Sequence, residues 1–310
     1  MRSLLLSAFA ITLLSACGQF VDPLDYEPGT LSPGGTDGVV RTDVKSLKHT
    51  LFADLIERFT QKSADGGFVV IDYDALAGDV DAQFQLQGYL AMLGSVDASG
   101  LESKSEKLAY FINAYNAGVI KGVLDMWNGD QGFKTVEAAG FFSEPRYTIG
   151  GLQLSLNHIE HGPGRADFVA RAADFTNMTD AARTKLEGWA TEIWGSENPD
   201  SRVHAAFNCG ALSCPNLPGA APFVFDAKTL DAQLDAFTTA WVDNVKKGAG
   251  PDGISMLFSW YKTDFERTHG SPKAFIEAFR SGGTSDVAFD KSLDYDWTLN
   301  STKNMPSSGQ

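Results

Sequence analysis

The segment from Ser103 to Trp127 constrains the fold more than any other stretch of this chain. Ser103-x-x-Glu106 is a capping box, a pattern that satisfies two orphan amides where a helix begins. Leu108, Phe111, Ile112, Tyr115, Val119 and Val123 then form one apolar stripe that reaches Trp127. Asn113 and Asn116 flank the stripe beside Ala109 and Ile120, and few polar residues remain for a solvent face. Such a helix must be covered on most sides, so the rest of the chain has to wrap around it. Buried amides require partners, so Asn113 and Asn116 either stitch the helix to a loop or face a polar pocket.

The surrounding elements can be read more coarsely. Leu47, Leu51, Phe52, Leu55, Ile56 and Phe59 give an amphipathic helix over 46–62. A short strand-like run, Phe68 to Ile71, follows Gly66-Gly67, and a second helix covers 81–93. Tyr147 to Leu154 reads as a hairpin, because Gly150-Gly151 accepts the positive φ of a primed turn. A short helical turn, Leu156 to His161, is expected to stop at Gly162-Pro163. Further helices are expected over 180–195 and 227–246, and from Ser271-Pro272 to Arg280. Arg202 to Phe207 alternates like a strand, Cys209 to Pro222 is a Gly/Pro-rich loop, and Val287 to Leu299 could close the domain as a strand. The fold class is α+β: a single helix-rich domain, 46–300, packed on a small antiparallel sheet, followed by a disordered tail at 301–310.

The N-terminus carries an address. Leu4 to Leu14 is an apolar run of 11 residues after Met1-Arg2. A membrane span needs about 20. A single charge, a short apolar core and a small-residue exit describe a secretory signal peptide over 1–16. The exit, Leu14-Ser15-Ala16-Cys17, resembles the lipobox of bacterial lipoproteins. That resemblance implies cleavage before Cys17 and a diacylglyceryl group on its thiol; ordinary cleavage leaving Cys17 as a spare thiol is the plainer alternative. Residues 17–45, rich in Gly, Pro, Ser and Asp, read as a flexible tether. The expected location is the cell envelope, lipid-anchored, on the outer membrane facing the periplasm. A net charge of −14 without any Lys/Arg cluster argues against a nucleic-acid partner.

Three polar clusters lie in apolar surroundings. Asn113-Ala-Tyr115-Asn116 is the first. The second, His158-Ile-Glu160-His161-Gly162, pairs imidazoles with a carboxylate and could supply a general base. Adjacent α-helical residues diverge by about 100°, so Glu160 and His161 are not expected to face one site squarely. His161 could equally be a cation at a helix C-terminus. The third runs from His204 through Asn208-Cys209-Gly210 to Ser213-Cys214-Pro215, a regular segment leading into a loop that could present a nucleophile. Cys209 and Cys214 could instead form a disulfide in an oxidising compartment, or join His158, His161 and His204 around zinc.

Taken in order, Leu108 to Ala117, Ile149-Gly-Gly, Leu156 to Gly162 and Arg202 to Pro215 resemble the domain of unknown function 547 family. Leu257 to Phe265 and Leu293 to Asn300 are similar to its later blocks. The resemblance implies a cysteine-hydrolase site related to papain-like or transglutaminase-like folds in a permuted order. Cys209 would be the nucleophile and His161 or His204 its base. Glu160, Asn113 or Asn116 would orient the imidazole or shape the oxyanion hole, with Tyr115, Asn208 and Gly210 binding substrate beside them. One departure stands at Pro163-Gly164-Arg165, where the family carries a bulky apolar pair before the arginine.

Two functions follow. The first is a cysteine-dependent acyl hydrolase or acyl transferase acting on an amide or thioester, without cofactor or metal, which requires a reduced Cys209 with an imidazole within about 4 Å. The second is a non-catalytic envelope lipoprotein that binds a peptide, protein or glycan and uses Cys209–Cys214 as a staple.

Overall fold

A computed structural model describes residues 40–127 and 134–306. The signal, Cys17 and the tether up to residue 39 lie outside the described residues. Val40 to Lys45 are already part of the fold: the Arg41 amide donates to Ser95 O (2.7 Å), and Val44 is buried.

Among the described residues the architecture is α+β, helix-rich, with three separate two-stranded antiparallel ribbons in place of one sheet. Helix α1 (Thr50–Phe59) is shorter than expected because Thr60–Lys62 leaves it as strand β1, which pairs with β2 (Val69–Ile71). Asp72 caps a short helix, α2 (Tyr73–Gly78), and Asp79 caps α3 (Val80–Ser95), each through a side-chain oxygen. The central helix is α4 (Lys104–Met126), and its stripe is buried throughout. Ser103 accepts from the Glu106 amide as a cap should, but the Glu106 carboxylate turns to Ser46 Oγ (2.8 Å) instead of closing the box. Each fully buried Leu, Ile or Phe on this stripe contributes about 1.5–3 kcal/mol. Helices α3, α5 (Leu156–Ile159) and α6 (Asp180–Trp194) pack around it.

Strands β3 (Tyr147–Ile149) and β4 (Leu152–Leu154) pair across Gly150-Gly151 as read from the sequence. A second apolar cluster forms around Trp241 and Phe258. It is built by α7 (Leu230–Val242), α8 (Leu257–Trp260), α9 (Lys262–His269) and α10 (Pro272–Phe279), with the β5 (Ala249–Gly250) and β6 (Gly253–Ile254) ribbon beside them.

Three expectations need correction. Ser201–Ala205 is a 3-10 turn capped by Asp200, not a strand; Val203 through Phe207 are all buried, so the alternation in the letters does not correspond to two faces. The helical turn from 156 breaks where Gly162-Pro163 was expected to stop it: the winding over Glu160–Gly164 is wider, and Gly162 has non-helical angles (φ −79°, ψ −105°). Residues 287–299 make isolated bridges only. The expected tail begins packed: Ser301 is buried, bridges Ile71 and starts a 3-10 turn, Thr302–Asn304, while 307–310 lie outside the described residues.

Candidate functional site

Cys209 sits where the chain leaves the 201–205 turn, and the loop is clamped from below. Asn116 Nδ2 donates to Ala206 O (3.0 Å) and its Oδ1 accepts from the Asn208 amide (2.9 Å). Asn208 donates to Pro215 O (2.5 Å), while its Oδ1 accepts from the Gly210 amide (3.0 Å) and Asn300 Nδ2 (3.2 Å). Gly210 has φ +85°, and an added Cβ would lie 3.1 Å from Val119 and Val136, so the turn after the cysteine requires glycine. Asn113 does the same work elsewhere, exchanging two bonds with the Phe225 backbone (2.7 and 3.1 Å). Asn113, Asn116, Asn208 and Gly210 thus each hold the chain in place through hydrogen bonds to neighbouring backbone or side chains.

A cavity of about 250 Å³ opens beside this loop, lined by Cys209, Cys214, Glu160, His161, His204 and Tyr115 together with an aromatic wall. Glu160 and His161 both line it although they are adjacent, and the chain kinks immediately after them at Gly162. His158 does not belong to it. Its Nδ1 accepts from the Ser155 amide (3.2 Å) and its Nε2 meets Asp174 O (2.7 Å), so it closes the start of α5.

Both cysteines are free thiols here, and no disulfide joins them. Cys209 is half-buried; its amide donates to Cys214 Sγ (2.9 Å), and its sulfur hydrogen-bonds Tyr295 Oη (3.2 Å). Burial opposes ionisation of Cys209, but hydrogen bonds from Cys214 and Tyr295 outweigh it and hold the thiol below its ordinary value. Burial and the neighbouring Cys209 push Cys214 well up, which leaves it inert. The imidazole expected against the Cys209 sulfur is not hydrogen-bonded to it among the described residues; Tyr295 takes that place.

The two histidines differ. His204 Nε2 is 2.9 Å from Asp264 Oδ2, which fixes that nitrogen as the protonated one. Its Nδ1 has no partner among the described residues, in a ring that lines the cavity. Burial lowers the basicity of this imidazole, so it rests neutral. His161 has the opposite arrangement: Arg165 Nη1 donates to its Nδ1 (2.6 Å), and burial pushes its pKa down to about 4. With Nδ1 occupied, His161 carries its proton on Nε2 and cannot take one from Cys209.

The organising residues come from α8–α9, where the sequence reading gave no roles. Asp264 accepts from His204, from Arg165 Nε (2.7 Å) and from Arg267. Burial would raise its pKa, yet His204 and Arg165 together hold it well below the carboxylate range. Tyr261 stacks on His204 (4.4 Å between ring centroids), lies under the Arg165 guanidinium (4.3 Å) and donates to Glu160 Oε1 (2.9 Å). Glu160 thus does not orient either imidazole; its nearest ring nitrogen, His161 Nδ1, is 3.9 Å away. Among the described residues no group of three or more His, Cys, Asp or Glu converges as metal ligands, so the zinc arrangement does not form.

Residues 99–242 match the family model described as Protein of unknown function, DUF547. The motif resemblance and the match agree on this stretch. The DUF547 segment holds α4, the Glu160–Gly164 turn and the Cys209 loop, whereas Tyr261, Asp264 and Tyr295 lie beyond it. No curated protein and no solved structure matches the chain. Only the quoted blocks 257–265 and 293–300 signalled these outlying residues in the sequence.

Proposed function

We propose that this chain is a cysteine-dependent acyl hydrolase or acyl transferase that acts on an amide or thioester from a lipid-anchored position facing the periplasm. The observation that carries the proposal is the free Cys209 sharing a cavity with His204, whose Nε2 is held by Asp264 and whose Nδ1 is unclaimed. A thiol, an imidazole and a carboxylate that fixes the imidazole tautomer are the parts nucleophilic acyl transfer needs.

In this reading His204 Nδ1 takes the Cys209 proton, directly or through one water, as the sulfur swings from Tyr295 and bonds to the carbonyl carbon. The carbonyl oxygen then carries the negative charge. The Tyr115 hydroxyl, which lines the cavity and has no partner among the described residues, is the donor offered to it, whereas His161 Nε2 lies 3.8 Å from the Asp174 carboxylate. Collapse breaks the bond to the leaving nitrogen or sulfur, which takes the proton from His204. Water or an acceptor amine next attacks the thioester carbon, gives a proton to His204, and releases Cys209.

The lipid anchor rests on the sequence from Met1 to Cys17.

The reading is tested with p-nitrophenyl acetate. The unreduced protein is expected to release a burst of p-nitrophenolate and gain one acetyl group on Cys209. Cys209→Ala should abolish the adduct, and His204→Gln should slow acylation by about 10²-fold or more. No adduct, or one that forms equally in Cys209→Ala, would overturn the proposal.

A further inference from the structure

Glu160 is left over once His204 and Asp264 are paired. It is 8 % exposed and lines the cavity, yet only its Oε1 is engaged, by the Tyr261 hydroxyl; Oε2 has no partner among the described residues. No guanidinium forms a direct ion pair with it, although the nearby Arg165 charge and the Tyr261 hydrogen bond help to keep it ionised against the cost of burial. The carboxylates Glu160, Asp167, Asp174 and Asp264 share this region with the guanidinium groups of Arg165, Arg171 and Arg267. Arg165 binds Asp264 and Asp167, Arg267 binds Asp264, and Arg171 binds Asp174. With both imidazoles neutral, one negative charge stays unmatched, and Glu160 is the carboxylate without a guanidinium. Glu160 is thus held as a carboxylate with one oxygen free in the cavity, open to a cationic group of a ligand.

The rest of the wall is aromatic. Tyr115, Phe207, Tyr261, Tyr295, Trp260 and Trp297 line the same space, with Trp260 and Trp297 stacked at 5.6 Å and Trp260 44 % exposed at the mouth. Ring faces beside a free carboxylate attract an ammonium group, through the ring quadrupole and through Coulomb attraction. The volume of about 250 Å³ suits one residue-sized group, not a folded chain.

Building on the acyl-transfer reading, we infer that this cavity binds a primary ammonium at Glu160, so the substrate carries an amine close to the bond that Cys209 attacks. That amine is either a free amino terminus or a lysine-type side chain. Binding also assists the chemistry: the Glu160 charge disfavours the Cys209 thiolate, and an ammonium seated on Glu160 cancels that repulsion.

The test compares how fast methanethiosulfonates modify Cys209 in the full-length, unreduced protein, with the labelled residue located by peptide mass spectrometry. The thiolate displaces methanesulfinate from each reagent to give a mixed disulfide. Cationic 2-aminoethyl and 6-aminohexyl reagents are set against neutral propyl and heptyl ones and an anionic 2-sulfonatoethyl one. The cation-to-neutral rate ratio at Cys209 is expected to exceed that of a free thiol by about tenfold, the effect of one favourable charge pair. Glu160→Gln keeps an acceptor for Tyr261 and should bring the ratio down to the free-thiol value. Glu57→Gln, which removes one charge from the exposed face of α1, should leave it unchanged. Preference for the short cation indicates an α-ammonium, and preference for the long one a side-chain ammonium. A ratio equal to that of a free thiol, faster reaction with the anion, or a cation preference that survives Glu160→Gln would overturn the inference while leaving a reactive Cys209 intact. Failure of every reagent to modify Cys209 would instead remove the acyl-transfer reading and this inference with it.

Discussion

Asp264 shows how one side chain can determine the properties of several others. It is 4 % exposed and takes hydrogen bonds from His204, Arg165 and Arg267, so its charge is needed both for the fold and for the imidazole tautomer. Asp264→Asn leaves Arg165 under-compensated in a buried position, and a loss of about 3–5 kcal/mol is expected in urea unfolding at pH 7. Because the folded Asp264 is more acidic than the unfolded one, its contribution is complete above the ordinary carboxylate range and fades as pH falls through that range towards the lower folded value. The gap between the wild type and Asp264→Asn should therefore narrow below about pH 4. The two buried asparagines separate fold from site. Asn113→Ala and Asn116→Ala each lose two backbone partners, and each should cost about 2–4 kcal/mol. Only Asn116→Ala should also change the alkylation rate of Cys209, because only Asn116 holds the Asn208 amide. That both amides are buried was legible from the stripe they flank. Which backbone each one stitches was not, since Phe225 and Ala206 are brought to α4 by long-range folding alone.

At the scale of elements, α4, α6, α10 and the β3–β4 hairpin were readable because caps, apolar periodicity and paired glycines act within a few residues. The Glu160–Gly164 turn was not. Adjacent helical residues diverge by about 100°, yet Glu160 and His161 both line the cavity, just before the chain kinks at Gly162. Pro163-Gly164 has a physical role there. A Cβ on Gly164 would meet Phe207 at 2.6 Å, and Pro163 O accepts from Trp194 Nε1 (2.9 Å). Gly164→Ala must push Phe207 into the cavity or displace the turn. A loss of about 1–3 kcal/mol is expected by thermal unfolding, along with slower Cys209 modification by bulky reagents. The 201–205 segment, strand-like in its letters and a 3-10 turn in the fold, illustrates a general ambiguity: a short run buried on all sides has no face for a period of two to mark.

For the whole molecule, the site is assembled from regions far apart in the chain. The C-terminal segment straps the Cys209 loop, with Asn300 N bonded to Gly210 O (2.8 Å), Leu212 N to Thr298 O (2.8 Å) and Ser213 N to Asp296 O (3.2 Å). A chain ending at residue 292 would lose this strap and Tyr295 together, and its unfolding midpoint should fall by at least about 5 °C. Acid should weaken the fold as well. Burial pushes His49 and His161 from 6.5 down to about 4, so both are neutral when folded and take up protons when unfolded within that interval. Their contribution to stability is complete above pH 6.5 and declines as pH drops towards 4. The urea midpoint should be lower at pH 5 than at pH 7, and His49→Gln, which can still bond Tyr89, should narrow that difference.

The account turns on the state of one sulfur. Iodoacetamide alkylation of Cys209 in the unreduced, folded protein, followed across pH by peptide mass spectrometry, reads that state directly. The expected result is labelling of Cys209 in preference to Cys214, with a midpoint below the value of about 8.5 for a free cysteine. Cys209 that stays unlabelled until a reductant is added, or that titrates at or above a free thiol, would contradict the account and leave a stapled binding scaffold in its place.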